Sequence, residues 1–153
     1  MFGKNPIAKW LLLILIVSFG AILRAVSVNT LPNGLHWDEM DTGYQALSLL
    51  KTGKDYFGNP LPLFPHSFAE YRTPVLIYSM VPLAHLPVRV LSVIFGILGI
   101  IAFGLVTYFL TKNKLLATLS LVTMSLSVWH IQYSRQALES IVMSLYFLLG
   151  LAT

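Results

Sequence analysis

Residues 74–88, PVLIYSMVPLAHLPV, decide how the rest of the chain is threaded. The stretch is apolar but short, it contains His85, and Pro82 and Pro87 interrupt it. A helix crossing a bilayer needs about 20 mostly apolar residues to cover ~30 Å of hydrocarbon, and an internal proline removes a helical hydrogen bond. If Pro74–Val88 crossed, the turn Thr111-Lys112-Asn113-Lys114 would share a side with the long polar loop that precedes this stretch. If it stays at the surface, that turn joins Lys4 and Lys9. Short lysine-bearing loops stay in the cytoplasm. Length and charge agree, so Pro74–Val88 reads as a surface or re-entrant helix.

Working outward, Trp10–Val28, Val90–Leu110, Leu115–Tyr133 and Ser140–Thr153 read as membrane spans, with Arg24 close enough to the end of the first to snorkel toward the headgroups. Lys4 and Lys9 before an apolar run also fit a secretory signal. The run is long for one, and no small-x-small cleavage site follows it cleanly, so it reads as an uncleaved span. The last run reaches Thr153, and the chain therefore reads as the N-terminal portion, residues 1–153, of a longer polytopic protein. The expected fold is an all-α integral membrane helix bundle with an external loop, Asn29–Arg89, bearing amphipathic juxtamembrane helices.

Composition supports this. The 153 residues are 56% hydrophobic and 10% charged, against roughly 45–50% and ~25% for soluble domains, which excludes a water-soluble globule. With no cysteine, thiol catalysis and thiolate metal sites are excluded. The net charge of +4 comes from bases scattered between apolar runs, not clustered on one face, so nucleic acid is not an expected partner.

Five of the six acidic residues lie in the external loop, which concentrates polar chemistry there. In His36-Trp37-Asp38-Glu39-Met40-Asp41 a helix is expected to start, with Asp38 as N-cap and Asp41 in the first turn. Met40, Tyr44, Leu47 and Leu50 recur at helical spacing and Gly53 stops the pattern, giving an amphipathic helix lying on the bilayer. Asp38 and Glu39 could be a cap and a solvated neighbour; beside hydrocarbon, however, carboxylates are costly and tend to be functional. Gly53 through Pro65 reads as an irregular segment, with Tyr56, Phe57, Leu61, Leu63 and Phe64 packed against something. Arg72 suits either a lipid-headgroup anchor or a planar grip on a phosphate. A second polar cluster, His130, Tyr133, Arg135 and Glu139, joins two apolar runs on the same expected face. Arg135 and Glu139 stand four apart and could pair with each other. His130 belongs to no recognised zinc spacing.

Taken together, the first span, Trp37-Asp38-Glu39, Gly53–Pro60, Arg72-Thr73-Pro74-Val75-Leu76-Ile77-Tyr78, Pro87-Val88-Arg89-Val90-Leu91-Ser92 and Ser134-Arg135 followed by Glu139 resemble a known family. They are similar to the N-terminal part of multi-span (GT-C type) glycosyltransferases using lipid-linked sugars, the protein O-mannosyltransferase and aminoarabinose transferase group. The resemblance implies a sugar moved from a polyprenyl-phosphate donor to an acceptor hydroxyl on a protein, lipid or glycan. It implies inversion at the sugar carbon, at the external face of the plasma (inner) membrane. It places the catalytic carboxylate at Asp38 with Glu39 beside it, and the lipid-phosphate contact at Arg72. Arg135 and Glu139 match the second external loop. Many relatives carry Asp at the latter position, some to hold a divalent metal, so the candidate metal positions are Asp38 and Glu139. Arg89, Tyr133 and His130 complete the candidate substrate-binding set. The competing readings are a transporter or channel fragment, since membrane-edge charges also line solute routes, and an inactive module that binds glycolipid or a partner protein.

Overall fold

The computed structural model describes residues 6–68 and 70–151. It is predominantly helical: α1 (Pro6–Ala25), α2 (Trp37–Thr52), α3 (Pro74–Met80, prolonged by a 3₁₀ turn Val81–Leu83), α4 (Arg89–Thr111), α5 (Lys114–Leu126), α6 (Val128–Ser134) and α7 (Glu139–Leu151). A two-residue antiparallel pair, β1 (His66–Ser67) and β2 (Glu70–Tyr71), closes the loop between α2 and α3. Lys4, Ala152 and Thr153, on which part of the span and sidedness reading rests, lie outside the described residues.

Two helices, α1 with 20 residues and α4 with 23, are long and apolar enough to cross a membrane. Along α1 only Gly20 and Arg24 are buried, while Ile7, Trp10, Leu15 and Ile22 point outward. An apolar face this long suits lipid, not water. The first helix ends at Ala25, short of the expected Val28, where Ser27 takes a left-handed φ of 56°. The expected third span is two helices, α5 and α6, bent by 60°. Ser127 makes the break: its backbone is extended, and its hydroxyl accepts the His130 N–H as the cap of α6. The 13 described residues of α7 reach about 20 Å at ~1.5 Å per residue, less than the ~30 Å hydrocarbon thickness, where a fourth span was expected.

Pro74–Val88 does not form a long helix. Seven helical residues and a 3₁₀ turn bury Leu76, Ile77 and Met80, and a core of Ala46, Leu76, Met80, Leu91, Ala137, Ile141 and Val142 joins α2, α3, α7 and the start of α4. The long loop is thereby docked onto one end of the bundle. Helix α4 runs through the centre, packing on α1, α5, α6 and α7. Its glycines permit this: a Cβ at Gly96 would strike the Ser134 side chain, and one at Gly99 would come within 2.9 Å of the His130 ring.

Arg24 does not snorkel. It is fully buried, and its Nη1 donates to Gly20 O (2.8 Å) and Ser125 O (3.1 Å), its Nη2 to Met124 O (2.9 Å) and His130 Nδ1 (2.8 Å). Breaking the helix at Ser127 takes the usual i+4 donors from the last carbonyls of α5, and Met124 O keeps only a 3.4 Å bond from Ser127 N–H. Arg24 satisfies two of them and thereby pins both halves of the bent pair to α1.

Candidate functional site

The site is built at the N-terminus of α2. His36, not Asp38, is the N-cap: its Nδ1 accepts the Asp38 N–H, while the Glu39 carboxylate reaches back to the His36 N–H at 2.9 Å. This is a capping box shifted two residues ahead of the expected cap. Asp38 is consequently a helical residue, and Asp41, one turn later, stands on the same face.

Asp38 and Asp41 converge on Arg72, which the backbone bond from its N–H to Pro65 O (2.9 Å) holds in place. Arg72 Nη2 donates to Asp38 Oδ1 at 2.5 Å and Nε to Asp41 Oδ2 at 3.0 Å, while Nη1 lies 3.3 Å from Glu70 Oε1. Burial works against the Arg72 cation, but Asp38, Asp41 and Glu70 outweigh it and raise its pKa above the ordinary value. Asp41 also accepts the Tyr56 hydroxyl at 2.5 Å. Burial, together with that carboxylate, raises the Tyr56 phenol. The Asp38 side chain is 37% exposed against 2% for Asp41, so Asp38 is the accessible member. Its Oδ2 lies 3.4 Å from His36 Nδ1. That nitrogen accepts the Asp38 N–H in the helix cap and pairs with Oδ2 only when the imidazole is protonated. A guanidinium has five N–H donors, and three on Arg72 are engaged by Asp38, Asp41 and Glu70.

Glu39, placed by the sequence in the catalytic pair, has a different part. Its side chain is 1% exposed. It accepts Arg89 Nε (2.7 Å), Arg89 Nη2 (2.9 Å) and the Ala137 N–H (3.0 Å). Burial alone would raise its pKa; the bonds from Arg89, His36 and Ala137 prevail and hold it below the ordinary 4.5. Arg89 completes its set on Val28 O, Pro32 O and Gly34 O. All five of its donors are used, so it has none left for a substrate phosphate. Glu39 and Arg89 form a sealed clamp that positions Asp38, not a reactive pair.

The second cluster reaches the same end of the bundle in part. Glu139, the first residue of α7, accepts the Thr73 N–H at 3.1 Å, next to Arg72 in the chain. Ala137 meets Glu39 as described, so segments about 100 residues apart in sequence do meet. Arg135 and Glu139 do not pair among the described residues, because α6 stops at Ser134 and the spacing of four is no longer one helical turn. Arg135 instead donates to Leu23 O in the last turn of α1 and to Val26 O and Leu31 O beyond it, and it lines an open cleft of about 280 Å³ with Gln132 and Pro32. Tyr133 stacks on Trp129, ring centroids 4.7 Å apart. His130 is fully buried between Arg24 and Gly99 and is not a boundary residue. Its Nδ1 meets Arg24 Nη2, and Arg24 in turn is held by the carbonyls of the broken span, which keeps the ring inside the bundle.

A divalent ion does not fit Asp38 and Glu139. The Arg72 cation occupies the space between the α2 carboxylates, a Glu139 oxygen is taken by Thr73, and the described residues contain no cluster of three or more His, Asp or Glu suited to a metal. The sequence reading missed Asp41 and Glu70 as partners of Arg72, and Tyr56 as the partner of Asp41; the three-residue interval from Asp38 to Asp41 was the available signal. Asp55 was also passed over. Its carboxylate accepts from Phe57 N, Asn59 N, Asn59 Nδ2 and His66 N, which ties the irregular loop together. That loop is held by its backbone; Phe57, Leu61, Leu63 and Phe64, expected to be packed, are more than half exposed. Comparison with models of known protein families, with curated proteins and with solved structures gives no match.

Proposed function

We propose that this chain belongs to a multi-pass glycosyltransferase of the plasma (inner) membrane, with its Asp38 end on the external side. It moves a sugar from a polyprenyl-phosphate donor to an acceptor hydroxyl on a protein, lipid or glycan. One observation carries the reading: an accessible carboxylate, Asp38, touches a guanidinium with spare donors, Arg72. Beside them lie exposed Leu35, Trp37 and Tyr44, the side chains that suit a bilayer interface.

A polyprenyl-phosphate sugar cannot leave the bilayer, so its phosphate is met at headgroup level. There, Asp38 Oδ2 takes the proton of the acceptor hydroxyl as its oxygen attacks the anomeric carbon. The bond from that carbon to the phosphate oxygen breaks, and its electron pair leaves with the polyprenyl phosphate. Arg72 stabilises the charge that grows on the leaving phosphate. Attack opposite to departure inverts the sugar carbon. Glu39 and Arg89 take no part in the bond changes; they hold the start of α2 against α4.

The test is glycosyl transfer by the membrane-reconstituted protein from polyprenyl-phosphate sugars to candidate acceptors. Asp38→Asn lowers turnover by about 10²–10⁴-fold, the usual worth of a general base, and Arg72→Ala weakens donor binding. Full turnover by a folded Asp38→Asn protein rejects the base, and movement of a labelled solute without glycosylated product rejects the reaction class in favour of a transporter.

A further inference from the structure

The end of the bundle opposite the Asp38 site has an apolar cleft of about 650 Å³ between α1, α4 and α5, within the ~300–1,000 Å³ range of ligand sites. Leu13, Leu105 and Leu121 line it, and Lys9, Trp10, Tyr108 and Lys114 stand at its rim. These four come from the first turns of α1 and α5 and the last turn of α4, so they share one level along the bundle. The lining follows α1 from Lys9 to Val17, about 12 Å at ~1.5 Å per residue. That depth approaches the ~15 Å half-thickness of a hydrocarbon core.

Charge identifies the occupant. All six acidic residues fall at positions 38–70 and 139, at or near the far end of the bundle. Among the described residues no carboxylate pairs with either lysine. Lys112 is turned away over the Phe109 ring, 5.4 Å from its centroid, and is not part of the cleft.

We propose that this cleft binds an anionic glycerophospholipid, one acyl chain lying between α1, α4 and α5 and the phosphate meeting Lys9 and Lys114. Such a lipid supplies both an apolar chain of the right reach and the missing negative charge, and Trp10 and Tyr108 suit the headgroup level. The site is separate from the proposed transfer reaction and lies toward the other leaflet.

Native mass spectrometry of the chain in mild detergent, titrated with phosphatidylglycerol or phosphatidylcholine of identical acyl chains, tests this. Phosphatidylglycerol binds more tightly. Lys9→Gln with Lys114→Gln removes that preference, about fivefold per lysine and about 30-fold together, while Lys112→Gln leaves it intact. Ala117→Phe, which fills the cleft, abolishes binding of both lipids with helical circular dichroism retained. Equal affinity for the two lipids, or an equal loss from Lys112→Gln, overturns the proposal. So does a dimer that excludes lipid and is broken by Ala117→Phe, since a second copy would then be the occupant. If Ala117→Phe does not fold, the paired lysine variant and its Lys112 control decide alone.

Discussion

Replacing Glu39 by Gln removes one charge from an ion pair whose side chains are 1% and 3% exposed. The carboxylate receives four hydrogen bonds, two from Arg89 at 2.7 and 2.9 Å, one from Ala137 N–H at 3.0 Å and one from His36 N–H at 2.9 Å. Glutamine keeps the shape and part of the acceptor capacity but leaves the Arg89 cation buried without a counter-charge. Breaking a buried pair from one side costs about 3–5 kcal/mol. For a chain of this size ~1 kcal/mol corresponds to about 2–4 °C, so the melting temperature falls by about 6–20 °C. Arg89→Met has a comparable cost, because it also strands the carbonyls of Val28, Pro32 and Gly34. The double variant is less destabilised than the sum of the two, by at least ~2 kcal/mol, since no lone charge remains in it. Thermal melting in detergent, followed by tryptophan fluorescence on all four members of the cycle, measures this coupling. Additivity within about 0.5 kcal/mol, the behaviour of independent sites, would refute the clamp and with it the account of how Asp38 is positioned.

Acid should loosen the segment between α1 and α4. Glu39 and Asp55 are held below their ordinary values of 4.5 and 3.8 in the folded state, so their stabilisation is complete above those values and lost as pH falls through the lower, folded ones. Melting temperature thus drops at acid pH, and Glu39→Gln flattens part of that slope; an unchanged slope counts against the Glu39 contribution. A Gly96→Val side chain collides with Ser134 and costs about 1–3 kcal/mol by overpacking; wild-type melting would show that α4 and α6 are not in close contact. Single cysteines at positions 38 and 139 react with an impermeant thiol reagent from the same side of the membrane, and labelling from opposite sides would separate the two clusters that the Thr73–Glu139 bond brings together.

The sequence alone was enough for the helical class, the two long apolar helices, the stop of α2 at Gly53 and the short, proline-interrupted helix in Pro74–Val88. These depend on hydropathy, length and backbone chemistry, which add up locally along the chain. It also singled out Asp38 and Arg72, because polar residues beside hydrocarbon are few. Which charge faces which partner was decided only in three dimensions. Glu39 and Asp38 are adjacent, yet successive helical residues point about 100° apart, so one is sealed against Arg89 and the other is left accessible beside Arg72. Arg24, 106 residues from His130 in sequence, meets it because the break at Ser127 exposes carbonyls that α1 must satisfy. The same kind of demand, buried polar groups seeking partners across the bundle, turned His130 inward and took Arg89 out of the substrate-binding set.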